Sequence, residues 1–198
     1  MTNKTDTLTD RELVEKVLSG ETNAFAAIIK NTEVLVAQIV FKMVENKEDR
    51  KDLAQDIYLK AYKNLPRFRF GSKLSTWIAQ IAYNTCFDHV RKKKLVLQDN
   101  FDDDDTEKLP GINNSLSSEP NANTGIFKKE LSAILKMEIE KLSPIHKTLI
   151  TLYHNEEMSY EEIAQVTQLP EGTLKSYLFR ARKALKNSLS KNYKKEEL

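Results

Sequence analysis

A single cysteine, Cys86, stands in the 198 residues. One thiol can build neither a disulfide framework nor a cysteine-based zinc site within the chain, which suits a reducing cytosol. Glycine and proline are scarce as well, at five each, so there are few places where a helix must break. No apolar run approaches the ~18 to 20 residues that a membrane span needs. The first ten residues, MTNKTDTLTD, are polar and hold no hydrophobic core of the signal-peptide kind. These absences lead to the expectation of a cytoplasmic chain with no stable membrane insertion. His89, His146 and His154 have no second ligand at metal spacing, and no Ser or Cys has an evident base. No metal, no cofactor and no enzyme activity are expected.

Charge of one sign is missing only on average. The net charge of +2 hides unlike parts: residues 1–94 carry 17 basic and 12 acidic side chains, residues 95–126 carry 1 and 7, and residues 127–198 carry 13 and 10. Two basic modules flank an acidic strip. A polyanion suits the modules, whereas the strip repels nucleic acid. The strip contains Asp102 to Asp105, Pro110, Gly111, an Asn/Ser run, Pro120 and Gly125, with too few apolar residues to offset the entropy of ordering it. It reads as a flexible linker, either a solvated spacer or a segment whose charge imitates nucleic acid inside a partner's basic channel. Its four aspartates could hold a divalent ion, but without the fixed geometry that catalysis needs.

What remains is helical in pattern throughout, giving an all-α fold. Thr9 and Glu12 have capping-box spacing, followed by Leu13, Val14, Val17 and Leu18 on one side until Ser19-Gly20. A second helix is expected over residues 21–44 and a third over residues 51–64, ended by Pro66. After a basic-aromatic loop, residues 67–72, a fourth is expected over residues 75–93, with Trp77, Ile78, Ile81, Ala82, Thr85 and Val90 near one side. Beyond the linker, Phe127, Leu131, Ile134, Leu135, Ile139 and Leu142 repeat at helical spacing, and Ser143-Pro144 opens another helix. The domains are then residues 1–94, an acidic linker 95–126, and residues 127–198. Cys86 and the three histidines are read as structural residues.

The most specific motif is SYEEIAQVTQLPEGTLKSYLFRARKALK. Ser159 and Glu162 form a second capping box, opening a short helix that buries Ile163 and Val166, and a turn near Gln168 to Pro170 leads into a longer helix. That is the layout of a helix-turn-helix. At about 100° per residue, Leu174, Leu178, Ala181 and Leu185 fall within a stripe about 60° wide. Thr173, Ser176, Arg180, Lys183 and Asn187 point roughly the other way, with Lys175, Arg182 and Lys186 on the flank. Hydroxyl groups for base edges and cations for phosphates, opposite an apolar packing face, suit entry into a major groove.

This helical pair resembles the promoter-reading module of bacterial extracytoplasmic-function (ECF) sigma factors. The likeness runs through SYEEIA, GTLKS and RARKAL and the preceding LSPIHKTLITLYHNEEMS. In the N-terminal half it runs through ELVEKVLSGETNAF, DLAQDIYLKAYKNLPRFR and STWIAQIAYNTCFDHVRKKK, about four-fifths of the chain in all. Two motif blocks in the right order identify the family where a helix-turn-helix alone does not.

The resemblance implies a subunit that binds core RNA polymerase and promoter DNA and is commonly restrained by an anti-sigma factor. It implies that Asp52, Leu53, Gln55, Asp56 and Tyr58 dock on the polymerase, with Asp52 and Asp56 (i, i+4) forming an acidic edge. It implies that Thr173, Lys175, Ser176, Arg180, Arg182 and Lys183 meet the duplex −35 element. It also implies that the loop after Pro66 and the helix behind it capture an unstacked base of the −10 element. A single-stranded base needs an aromatic floor, donors for its edges and cations for its phosphates. Phe68, Phe70 and Trp77 suit the first, Ser72, Ser75, Thr76 and Asn84 the second, and Arg67, Arg69 and Lys73 the third, with Arg91 and Lys92 on the neighbouring backbone. By residue type alone, a Trp near a helix start also suits the core.

Two positions depart from the family pattern: Phe70-Gly71 stands where a Gly and an acidic residue are usual, and Tyr177 where an Arg is frequent. A second reading is a helix-turn-helix regulator that binds operators without polymerase. A third is an enzyme acting on nucleic acid. Initiation on core polymerase separates the first reading from the second, and magnesium-dependent cleavage or joining of DNA marks the third.

Overall fold

A computed structural model describes residues 9–97 and 125–192, with the side chains of residues 94–97 and 125–130 left out. The described residues form α1 (Asp10–Leu18), α2 (Thr22–Met43), α3 (Lys47–Asn64), a 3-10 turn (Leu65–Arg67), α4 (Leu74–Leu97), α5 (Gly125–Glu140), α6 (Pro144–His154), α7 (Tyr160–Thr167) and α8 (Glu171–Asn192), with no strand among them. The four aspartates Asp102 to Asp105 lie outside the described residues.

Local chemistry sets most of the helix ends. Thr9 caps α1 as its spacing predicts: its hydroxyl accepts from the Glu12 N–H, and its own N–H donates to the Glu12 carboxylate at 2.7 Å. Gly20, at φ 100°, takes the chain out of α1 through backbone that other residues rarely adopt. Leu13, Val14 and Val17 are buried but Leu18 is exposed, because α1 lies along the bundle edge and covers a narrower stripe than its apolar residues offer. The third helix starts at Lys47, four residues earlier than expected at residue 51. Asn46 accepts the N–H groups of Glu48 and Asp49 at 2.8 and 3.1 Å, and both acids sit at the positive end of the helix dipole. The α4 N-terminus borrows its partner from another helix: the Leu74 N–H donates to the Asp10 carboxylate at 2.8 Å. Helical backbone continues to Leu97 and resumes at Gly125, so residues 95–97 and 125–126 belong to helices rather than to the linker.

At the centre lies α2, which packs against α1, α3, α4 and α6. By length and composition it is the one described helix apolar enough to cross a bilayer, with a mean hydropathy of 1.5 over its best window. The sequence expectation of no such run therefore needs correcting. One face of it serves the protein interior: Ile28, Val36, Ile39, Val40 and Met43 are buried among the neighbouring helices, while Val34 and Phe41 are exposed. Each such side chain contributes roughly 1.5–3 kcal/mol of burial.

The second half departs from expectation at α5. Leu131 and Leu135, which repeat at helical spacing, are 36% and 39% exposed, since α5 packs mainly on α6 and α8 and meets α2 at the Lys42–Glu140 pair. Among its described side chains the most deeply buried is Glu138. Lys141 donates to that carboxylate at 2.6 Å and the Ser188 hydroxyl at 2.5 Å, offsetting the cost of taking the charge out of water. The two halves are not merely tethered. Their buried side chains form one hydrophobic cluster, with α4 packed on α7 and α2 on α6. Among the described residues no buried side-chain N or O atom lacks a hydrogen-bond partner.

Candidate nucleic-acid interface

The helix-turn-helix forms as its spacing predicts. Ser159 caps α7, its hydroxyl accepting from the Glu162 N–H at 3.1 Å while its N–H donates to the Glu162 carboxylate at 2.9 Å. Gln168 ends α7 in the left-handed conformation, φ 58°, and Leu169 and Pro170 complete the turn. Leu174, Leu178, Ala181 and Leu185 are all buried against the module's own core. Opposite them, Lys175, Arg182 and Lys183 are exposed, while Thr173, Ser176 and Arg180 are half-buried. Arg182 also lies over the Tyr153 ring at 5.1 Å, and Lys175 pairs with Glu171 at 3.2 Å. Both cations stay at the surface, where a phosphate can draw them off these partners. Tyr177 does not stand in for a cation. Its ring packs edge-on against His146 at 5.7 Å, and it lies near Tyr83 of α4. Burial, with Tyr177 second, pushes the Tyr83 phenol up to about 12.

The loop between the 3-10 turn and α4 gathers most of the residues read as a single-strand capture site. Phe68, Phe70 and Trp77 form a ring cluster with centroids 4.8 and 5.1 Å from Phe68. Phe68 is buried beneath it, Trp77 is half-buried and Phe70 is exposed. Arg67, Arg69 and Lys73 surround the cluster at the surface, with Ser72 and Ser75 half-buried between them. Thr76 is different: it is 2% exposed and turned into the bundle, away from any ligand in this conformation. Asn84 is half-buried further along α4, while Arg91 and Lys92 are exposed near its end. Phe70, and not Gly71, takes the positive φ of the loop, at 56°. Its ring receives the Arg11 guanidinium at 5.0 Å, a contact that helps hold this strained residue.

On α3, Asp52 and Gln55 are exposed and Asp56 pairs with Lys60 at 2.7 Å, while Leu53 and Tyr58 are half-buried. Leu53 packs on the core, and the Tyr58 hydroxyl lies 3.1 Å from that of Thr32. Sequence reasoning did not assign Tyr62, which together with Leu59 forms the exposed apolar part of this face. With Phe25, Ile29 and Ala54 they line an open groove of about 650 Å³ beside the acidic edge. The helical period of α3 places 55, 59 and 62 on one stripe, so the pattern was available.

Models of sigma-70 region 2 and sigma-70 region 4 match residues 28–96 and 132–185. The ECF RNA polymerase sigma-E factor of Escherichia coli (strain K12) is 34% identical over 187 residues, covering 92% of this chain and 95% of that protein. The chain belongs to the ECF sigma factor family, whose members direct transcription initiation. Another relative, the ECF sigma factor SigW of Bacillus subtilis (strain 168), is 30% identical over 179 residues, covering 90% of this sigma factor and 96% of SigW. Among solved structures, the sigma factor RpoE in complex with the anti-sigma factor NepR from Bartonella quintana shares the fold. Its TM-score is 0.57 at 24% identity, over 85% of this chain and 98% of that one. The family models fall on the two regions where the cationic helix α8 and the aromatic loop lie. Cys86 is fully buried, its thiol pushed up to about 12 by desolvation, as a packing role requires. His89 contacts Asp49 at 3.2 Å, joining α4 to α3.

Proposed function

We propose that this sigma factor recognises promoters in two chemically different ways, without itself making or breaking a bond. The exposed face of α8 lies in the major groove of the −35 element, with Lys175, Arg182 and Lys183 on phosphates and Thr173, Ser176 and Arg180 toward base edges. The aromatic loop takes an unpaired base of the −10 element, with Phe68, Phe70 and Trp77 as its stacking surface and Arg67, Arg69 and Lys73 on the backbone. Core polymerase docks on α3 through Asp52, Gln55 and Asp56 and the adjoining Leu59–Tyr62 groove, with Leu53 and Tyr58 shaping that face from beneath. An anti-sigma factor is the expected regulator, in a cytoplasmic setting.

The observation that carries this reading is the pairing, in one chain, of an apolar-backed cationic recognition helix with a separate aromatic cluster ringed by three cations. Duplex reading needs the first and single-strand capture the second. The test is run-off transcription on a genomic fragment library with core polymerase, with and without the protein. New start sites sharing two sequence elements are expected. Binding to duplex operators with no initiation on core polymerase would instead establish the regulator reading.

A further inference from the structure

The aromatic loop continues into a polar and aromatic track along α4. At about 100° per residue, Trp77, Gln80, Asn84, Phe87 and Arg91 fall within one stripe about 80° wide on that helix. Its packed side lies elsewhere, where Ile78, Ala79, Ala82, Tyr83 and Cys86 are buried. Gln80 lines the same open cleft of about 570 Å³ as Arg67, Phe68 and Trp77, so the stripe begins at the capture loop itself. Gln80 and Asn84 are half-buried, and among the described residues neither side-chain amide has a hydrogen-bond partner. Further along, Phe87 is 37% exposed, although α4 has a packed side for apolar residues. Its ring stacks on that of Tyr83, with centroids 6.1 Å apart and planes inclined by 15°. Tyr83 is buried and so restrains the Phe87 ring from beneath. Arg91 follows one turn later at the surface, 3.4 Å from Asp88. Both members of that pair are solvated, which leaves the guanidinium weakly held.

We propose that Phe87 is a second stacking platform, holding another unpaired base of the strand whose first base the loop captures. The proposal rests on the proposed function and extends that site along α4. The chemistry of the loop is repeated here: an aromatic face for a base, the amides of Gln80 and Asn84 for base edges, and the Arg91 cation for the backbone. Trp77 and Phe87 are separated by about 15 Å along the helix axis. A stacked strand rises about 3.4 Å per nucleotide, so the two rings stand about two to four nucleotides apart, according to how far the strand is extended. Stacking accepts any base, since each has a π-face. Phe87 therefore sets the path of the strand, and the amides between the two rings are left to discriminate bases.

The test is a substitution cycle with the full chain bound to core polymerase, on templates built from start sites found by run-off transcription. The non-template strand is left unpaired through the opened region, and one nucleotide at a time is replaced by an abasic site. With the unsubstituted protein, at least two positions about two to four nucleotides apart should lower complex affinity about five- to a hundredfold when the base is removed, as loss of a base–aromatic stack does. Phe87→Leu keeps an apolar contact with Tyr83 but offers no ring. It should abolish the sensitivity at one of these positions and leave the other, whereas Phe87→Trp should retain both. Non-additivity confined to one position is the signature of direct contact. Equal sensitivity at every position with Phe87→Leu overturns the proposal, as does a loss of affinity that is the same on every template. If no start site is found, the proposed function has failed and this inference falls with it. If start sites are found but no position couples to Phe87, only the second platform is wrong.

Discussion

The helix α8 and the loop before α4 both present cations to nucleic acid, yet the fold treats them differently. Along α8, Lys175, Arg182 and Lys183 stand in solvent over a fully buried apolar stripe, so the surface is ready for a rigid duplex. At the loop, Lys73 pairs with Glu162 of α7, Thr76 is turned inward, and Gln165 and Gln168 of the neighbouring module line the cleft beside the aromatic cluster. Double-stranded DNA presents a fixed shape that a preformed helix can match, whereas an unpaired base exists only after strands part.

The contrast can be sharpened further along α4, behind the capture loop. With its thiol pushed up to about 12 from 9.0, Cys86 should react with iodoacetamide at pH 8 about a thousandfold more slowly folded than unfolded. Because the folded value is the higher one, this group's stabilising contribution is complete below pH 9.0 and is lost as pH rises toward about 12. Reaction mass spectrometry at stepped pH measures both.

Within α8, Leu178→Ala should cost about 2–5 kcal/mol in chemical denaturation, while the adjacent, exposed Phe179→Ala should stay within about 0.5 kcal/mol. Equal losses would show that the stripe is not what holds the recognition helix. Arg182→Ala with Lys183→Ala should lower duplex affinity and reduce the slope of log affinity against log salt by about 2, with module separation unchanged. Capping is a smaller effect: Ser159→Ala should destabilise the helix-turn-helix by about 1 kcal/mol, read from its thermal midpoint. Smallest of all, Glu157→Gly should stabilise by roughly 0.5–1 kcal/mol, because Glu157 sits at φ 51°, where a Cβ is unfavourable.

The parts of this architecture legible in the sequence are those with short-range causes. Thr9/Glu12 and Ser159/Glu162 announce helix starts within four residues, and Leu174, Leu178, Ala181 and Leu185 announce the face that α8 buries. Asn46 was equally readable, being an N-cap residue followed by two acids, and passing over it set α3 four residues late. What the sequence does not display is partnership across long separations. Nothing near Lys73 points to Glu162, 89 residues on, and nothing near Leu74 points to the carboxylate of Asp10. Spacing along α5 is apolar, yet which of its faces meets α8 depends on tertiary placement, so Glu138 is buried and Leu135 is left half in solvent. The inward turn of Tyr58 has the same origin, since its hydroxyl is claimed by Thr32 on α2.

A division of labour between duplex reading and base capture is tested most directly by photocrosslinking in the initiating complex. A photoreactive side chain is placed at Lys183 in one preparation and at Ser72 in another, each assembled with core polymerase on a template bearing a start site. From 183 the crosslink should fall on paired DNA upstream, and from 72 on the non-template strand within the opened region. Crosslinks from 72 to duplex alone, or none to DNA from either position, would contradict the account.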